Sequence, residues 1–365
     1  MRGRFLVPLA LGAVALGNGV VCAATFEELA AQATAARQEN KFPEALGLYR
    51  SALAMNPGWA EGWWFVGRLS YDADQYAGGQ EAFSRYVKLK EQDGGGWAFL
   101  GLCEFETGHY EESLDHLRRS LTMGLGHSQV EAVLHFHIAL LLTRLGLFDQ
   151  AVAEYTPFAH RGAREPALIA GMGLAALRRP LLPREVPASE QAVVNSAGET
   201  AYLWMAGDTS KAEASFQSLL IQYPDAPGVH YFHGSWLLSS HPSEAMAEFQ
   251  RELLVNPHCA DARAILALAL MRSLGDATAL PQAQKAAEDG PSIPMAQYVY
   301  GLILTHLCDK NGIAHLETAE RLDSANFEYH MALASAYSKF GHYADARRER
   351  AESIALAKEK DPAER

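Results

Sequence analysis

The sequence predicts an all-α chain, an α-solenoid of stacked helix-turn-helix units, and three observations carry that prediction. The first is an interval. Trp63 stands 34 residues before Trp97, and the same step takes Gly67 to Gly101, Tyr76 to Tyr110, Gly79 to Ser113 and Phe83 to Leu117. The second is spacing within each unit. Ala45, Tyr49 and Ala52 fall at i, i+4 and i+7, one face of a helix. The third is punctuation: Gly108 separates an amphipathic segment opening at Trp97 from a second opening at Tyr110. A hairpin of this size cannot hide its apolar face alone, so neighbouring hairpins have to stack.

The chain opens with Arg2 and Arg4, an apolar run from Phe5 to Val21, and small residues at Cys22-Ala23-Ala24. That order reads as a secretory signal peptide over 1–24, cleaved after Ala23 or Ala24. An uncleaved anchor helix is the competing reading. Gly12, Gly17, Asn18 and Gly19 count against it. Cys22 sits where a lipidated cysteine would, but Val21 directly before it is larger than a lipobox accepts.

The first helix begins at Phe26. Its partner carries Pro43 in the first turn, where a missing N–H costs nothing, and stops at Asn56-Pro57. The units at about 60–93 and 94–127 hold strict register. In the fourth unit the stretch GLGHSQVE lengthens a turn, after which Phe148, Ala151, Tyr155 and Phe158 restore the pattern. Glu165 to Leu177 then reads as an orphan helix. Pro180, Pro183 and Pro187 follow it and make an extended connector, either a covering loop or a hinge or docking element. A long helix restarts at Ala188 and runs to Met205, with Ala212, Phe216 and Leu219 on its partner. Units follow at 227–259, 260–293 and from 294, and the last starts at Phe327. The final helix, RRERAESIALAKEK, is the most charged, as a terminal cap with one face in water requires. The organisation expected is therefore 25–163 as about four repeats, 164–187 as orphan helix and connector, 188–358 as about five repeats, and 359–365 as tail.

A large residue, then an apolar one, then a small one, then a turn and small and aromatic residues at helical spacing, all on a period of 34, resembles the tetratricopeptide repeat. The likeness covers nearly all of the chain after residue 24. Tyr86, Phe158 and Glu252 depart from it, each where a small residue is usual, and suggest looser local packing. The resemblance implies a right-handed superhelix whose first helices line a concave groove. Carried onto this chain, the groove residues are Trp64, Arg68, Tyr71, Phe105, Phe136, Trp204, Tyr231 and Tyr298, an aromatic and aliphatic set. Ala98, Leu102, Leu140, Leu168, Met172, Leu238, Leu268, Met271, Met295 and Met331 accompany them. Members that clamp a carboxylate terminus use Lys, Asn and Arg at these positions. Here only Arg37 and Arg68 come near, which disfavours an acidic-tail clamp. The same aromatic residues would also result from tight packing inside the superhelix, without any ligand.

Composition narrows the partners. The formal charge is −12 over the whole chain. Without residues 1–24 it is −14, from 29 basic and 43 acidic residues, since Arg2 and Arg4 are lost. A nucleic acid or an anionic membrane surface would want the opposite sign. No stretch after the leader is apolar enough to span a bilayer. Cys103, Cys259 and Cys308 are too few for a disulfide framework. Cys103 reads as a core residue, and a Cys259–Cys308 bridge stays open.

No catalytic or metal-binding set emerges, and no cofactor is implied. His135 and His137 point about 200° apart on a helix. His230 and His233 could share a metal but lack a local third ligand. His109-Tyr110-Glu111-Glu112 lacks the second histidine of HExxH. Gly94-Gly95-Gly96 reads as a turn between units, and Glu111-Glu112 as a solvated helix start. Two functions follow. The first is a non-catalytic, exported bacterial module, periplasmic or extracellular, that binds a protein or peptide as an extended or helical segment in the groove. The alternative is a structural or assembly scaffold in cell-envelope biogenesis that uses convex or end surfaces. An enzyme ranks third, and oligomeric state is not legible.

Overall fold

The computed structural model describes residues 24–125 and 128–360, and every regular element among them is helical. The leader expected over 1–24 lies outside the described residues except for Ala24, as does the end of the tail from 361. Among the described residues no helix is long and apolar enough to cross a membrane.

The described chain divides into two compact units, one ending at Glu91 and the other beginning at Gln92. The first holds two hairpins, α1 (Phe26–Gln38) with α2 (Phe42–Met55) and α3 (Ala60–Asp72) with α4 (Tyr76–Leu89). Thr25 starts α1 with a reciprocal cap: its hydroxyl takes the Glu28 amide at 3.2 Å, and the Glu28 carboxylate takes the Thr25 amide at 2.9 Å. Ala33, Ala45, Tyr49, Leu53, Val66 and Ala82 form the core between these helices. Among them, Ala45 and Tyr49 are on the face that the helical spacing marked.

The second unit begins with α5 (Gly94–Thr107) and α6 (Tyr110–Met123), then α7 (Ser128–Arg144) and α8 (Phe148–His160). Gly94-Gly95-Gly96, read as a turn from the sequence, is instead the first turn of α5, started by Asp93, whose carboxylate accepts the Gly95 amide at 2.9 Å. Next come α9 (Pro166–Ala176), a short 3-10 turn at Pro183–Glu185, α10 (Gln191–Met205) and α11 (Thr209–Gln222). Four hairpins complete it: α12 (Val229–Leu237) with α13 (Pro242–Val255), α14 (Ala260–Leu274) with α15 (Asp276–Asp289), α16 (Pro294–His306) with α17 (Asn311–Leu322), and α18 (Phe327–Lys339) with α19 (Tyr343–Lys360).

The segment read as an orphan helix is α9, and it lies directly against α10. The contact is made by glycines. A Cβ on Gly173 would strike the Val194 carbonyl, and one on Gly198 would strike the Ile169 carbonyl. Two helices whose backbones touch need a residue without a side chain at the crossing. The connector that follows α9 is pinned. Leu182 and Val186 are buried. Arg184 reaches Glu106 of α5 at 2.7 Å, Arg144 of α7 approaches Glu185 at 3.3 Å, and Arg179 meets Glu190 at 2.9 Å.

Cys103 is buried and unpaired, as a core residue would be. Cys259 and Cys308 are free thiols, so they form no bridge in this structure. Glu252, read as a site of loose packing, is fully buried and accepts the amides of Gly228 at 2.8 Å and Tyr231 at 3.2 Å. It satisfies the first turn of α12, which has no capping side chain of its own.

Candidate functional site

Three of the eight residues assigned to the groove lie on α3 in the first unit. Trp64 is half-buried against Phe83 and Tyr86, with ring centroids 5.7 and 5.2 Å away. Arg68 approaches Asp72 at 3.5 Å, one helical turn on. Tyr71 meets Tyr76 edge-on at 5.5 Å. None of the three lines the open cleft of this unit. A cleft of about 600 Å³ is lined by Ala30, Thr34 and Gln38 of α1 and by Trp59 and Glu61 at the start of α3. Glu61 and Trp64 are three residues apart and share a face of α3. The floor is aromatic: Phe26 meets Trp59 edge-on at 5.3 Å, and Tyr49 lies 5.6 Å from Trp59. Glu27 and Glu61 give it an acidic rim. Arg37, the other cation of the groove reading, is spent elsewhere: its Nε donates to the Tyr49 hydroxyl at 3.2 Å and its guanidinium lies 4.0 Å over Phe65.

The first unit has a second cleft, of about 470 Å³, between α2 and α4. Arg50, Leu53, Trp63, Val66, Glu81 and Arg85 line it. Trp63 is fixed there by its indole N–H, which donates to the Pro57 carbonyl at 2.8 Å.

The other five residues belong to the second unit and do not share one surface. Phe105 and Phe136 come together around His137, at 5.0 and 5.8 Å. Phe105 is only 4 % exposed, and the Arg184 guanidinium from the connector covers its ring at 5.2 Å. Trp204 stays exposed beside Phe232 at 5.9 Å. Tyr298 packs on Tyr329 at 5.0 Å.

Tyr231 is buried in a polar hub centred on Arg178. That guanidinium meets Asp149 at 2.7 Å, donates to the Tyr231 hydroxyl, and lies 5.3 and 4.8 Å from the rings of Phe148 and Tyr231. Burial alone would pull the Arg178 pKa down, but Asp149, Tyr231 and Asp261 outweigh it and keep the group firmly charged. Close by, Gln150 donates to Asp323 at 2.5 Å and ties the start of α8 to the turn before α18. So the start of α8 and Arg178 lie close to the starts of α14, α16 and α18.

A second pattern runs through the hairpins. Four residues before the small residue of a first helix, and three after that of its partner, the side chains meet. His135 and Glu154 stand at 2.8 Å, His230 and Glu248 at 2.6 Å, and His330 and Glu349 at 2.8 Å. Arg263 bonds to Gln282 at 3.0 Å and His315 to Gln297 at 2.7 Å in the same register. In the third hairpin the pair is Trp97 stacked on His116 at 4.9 Å. These are links within hairpins. The sequence reading weighed His230 and His233 as metal ligands, and both instead face Glu248.

Arg178, Asp261 and Arg184 were missed in the sequence. Asp261 carried a usable signal, since it sits one residue into its helix, at the first of the offsets that define the inner face. Arg178 had none, because it lies beyond the end of α9 in a left-handed backbone conformation with φ of 55°.

The tetratricopeptide repeat family model matches residues 30–94. No curated protein matches the chain. Among solved structures, a crystal structure of MamA is 16 % identical over 44 % of this chain and 95 % of that one, with a TM-score of 0.35. MamA 41-end from Desulfovibrio magneticus RS-1 is 18 % identical over 46 % and 97 %, with a TM-score of 0.36. The APC/C hetero-tetramer Cut9-Hcn1 is 13 % identical over 91 % of this chain and 72 % of that one, with a TM-score of 0.34. Likeness at this level says nothing about activity or partner.

Proposed function

We propose that this chain, whose residues 30–94 match the tetratricopeptide repeat, is a non-catalytic module that binds an extended or helical segment of a protein partner in the cleft between α1 and α3. A repeat of this kind is a scaffold for protein–protein contact, since stacked hairpins present a long face made of side chains from successive first helices. The observation that carries the reading is the cleft itself. It is open, aromatic at its floor and acidic at its rim. Aromatic anchors supply area at low entropy cost, and Glu27 and Glu61 favour a segment bearing lysine or arginine. The export signal read at 1–24 supports a setting in the cell envelope or outside the cell.

A second reading has its own observation. The cleft between α2 and α4, lined by Trp63, Arg50 and Arg85 among others, supports a scaffold that uses a different surface. One experiment separates the two. A photo-cross-linking residue is placed at Gln38 in one variant and at Arg85 in another, and each is irradiated in the native cell. Adducts from Gln38 that vanish when Ala30→Trp fills the cleft support the first reading. Adducts from Arg85 alone support the second, and a protein that cross-links from neither site sinks both.

A further inference from the structure

The second unit holds a cleft of about 500 Å³ against the Arg178 hub, walled by the turn after α7, the residues that follow α9, and the starts of α12, α14 and α16. Every cation on its wall already has an acid of its own. Arg178 has Asp149, Arg144 has Glu185 and Arg179 has Glu190. Asp289 alone gathers His258 at 3.0 Å, Lys285 at 2.8 Å and Arg263 at 3.7 Å. Two carboxylates on the wall make no direct ion pair, although Arg178 lies near Asp261 and His230 near Glu252. Glu252 is fully buried and bonded only to neutral groups. Asp261 is 9 % exposed, forms no ion pair among the described residues, and takes a hydrogen bond only from its own backbone amide.

A buried carboxylate that no cation contacts directly is only partly compensated, and a ligand that brings an ion pair removes the remaining cost. We propose that this cleft takes up a primary ammonium group, as carried by a lysine side chain or a small free amine, with Asp261 as its ion-pair partner and Glu252 adding to the negative field. Burial raises the Asp261 carboxyl above its ordinary range and Arg178 only partly offsets that, so the acid gains from any further positive charge. The site is separate from the cleft between α1 and α3 and does not depend on the function proposed for it.

The test is isothermal titration of the whole exported-form chain near neutral pH. The probes are cadaverine, its neutral analogue 1-pentanol, and an extended peptide with a single lysine. Saturable binding of cadaverine or of the peptide, with pentanol inert, is the expected result. Tighter binding of cadaverine identifies a free amine, and tighter binding of the peptide identifies a side chain. Asp261→Asn should weaken the favoured probe by about tenfold or more, the effect of losing a charge-assisted hydrogen bond. Asp225→Asn, an exposed acid outside the cleft, should leave binding unchanged. Ser292→Trp, at the exposed rim, should block entry without altering the acids, which keeps the test decisive should Asp261→Asn fail to fold. Equal binding of pentanol, no saturation, or amine binding that survives both Asp261→Asn and Ser292→Trp overturns the proposal.

Discussion

His330 of α18 holds Glu349 of α19 at 2.8 Å through Nδ1, while its Nε2 lies 3.0 Å from the Ser324 carbonyl. A carbonyl can only accept, and so can an ionised carboxylate, so the arrangement favours a proton on both ring nitrogens and with it the charged imidazole. His230 repeats the arrangement, with Glu248 at 2.6 Å and the Pro224 carbonyl at 2.9 Å. Glu320 at 4.0 Å from His330, and Glu252 near His230, add to the same field. Burial alone would lower the His330 pKa, yet Glu349 and Ser324 raise it, and the hydrogen bond that His230 donates to Glu248 raises that of His230. Burial would likewise raise Glu248, but His230 and His233 hold it well below the usual carboxylate range.

The pH dependence follows from those directions. A histidine with a raised folded pKa stabilises fully below its unfolded value, about 6.5, and the contribution fades as pH rises through the folded value. A glutamate with a lowered folded pKa stabilises above its unfolded value, about 4.3, and loses that as pH falls towards the folded one. The second unit should therefore be most stable in the mildly acidic range between them. Thermal melts from about pH 8 to about pH 6 should show Tm climbing by a few degrees. His230→Gln with His330→Gln should flatten the climb, and an unchanged slope in that double variant would remove these pairs as its cause.

The crossing of α9 and α10 gives a steric prediction. Gly173 and Gly198 each face a carbonyl of the other helix, and backbone cannot move aside as a flexible side chain can. Gly173→Ala should cost roughly 3 kcal/mol in denaturant unfolding, at the upper end of what overpacking costs. Gly47→Ala, where a Cβ meets nothing within 4 Å on an exposed stretch of α2, should be neutral or slightly stabilising. Equal effects at the two positions would mean that the helices separate easily.

The contrast between those glycines shows what could be read in advance. Gly67 and Gly101 were legible because their partners recur at a fixed interval along the chain. Gly173 gave no sign, since its partner Gly198 belongs to another helix at no repeating distance. The histidine pairs were half legible: the sequence displayed His230 and His233 together, and only the fold brought Glu248 to them. Of the groove, Trp64, Arg68 and Tyr71 share α3 as spacing required. Tyr231 is buried and Tyr298 half-buried where the start of α8 meets the turn before α18. The Gln150–Asp323 contact that marks this has no local cause, and periodicity reports only local ones.

Arg178 tests how far the hub supports the second unit. Its guanidinium is nearly enclosed, whereas Asp149 is 81 % exposed and can rehydrate when the partner is lost. The damage from Arg178→Ala should therefore come from Asp261 and the Tyr231 hydroxyl, left buried without their nearest positive group. A loss on the order of 3 kcal/mol is expected in denaturant unfolding, the range for breaking one side of a buried charge cluster. Arg178→Lys should recover only part, because an ammonium cannot meet Asp149 and Tyr231 in the planar geometry of a guanidinium. Full recovery by lysine would show that charge alone matters at this position.

The connector at 180–187 can be ranked by magnitude. Its ion pair between Arg184 and Glu106 has side chains 49 % and 26 % exposed, and pairs in such settings are worth about 0–1 kcal/mol. Leu182 is 1 % exposed, and burying a leucine contributes about 1.5–3 kcal/mol. Apolar anchoring should therefore dominate. Thermolysin at low dose should leave the native connector intact, cut Arg184→Glu modestly faster, and cut Leu182→Ser much faster, with the first fragments ending within 180–187. Were Arg184→Glu to open the segment more than Leu182→Ser, the clamp would be electrostatic, and raising the salt concentration should then speed cutting of the native protein as well.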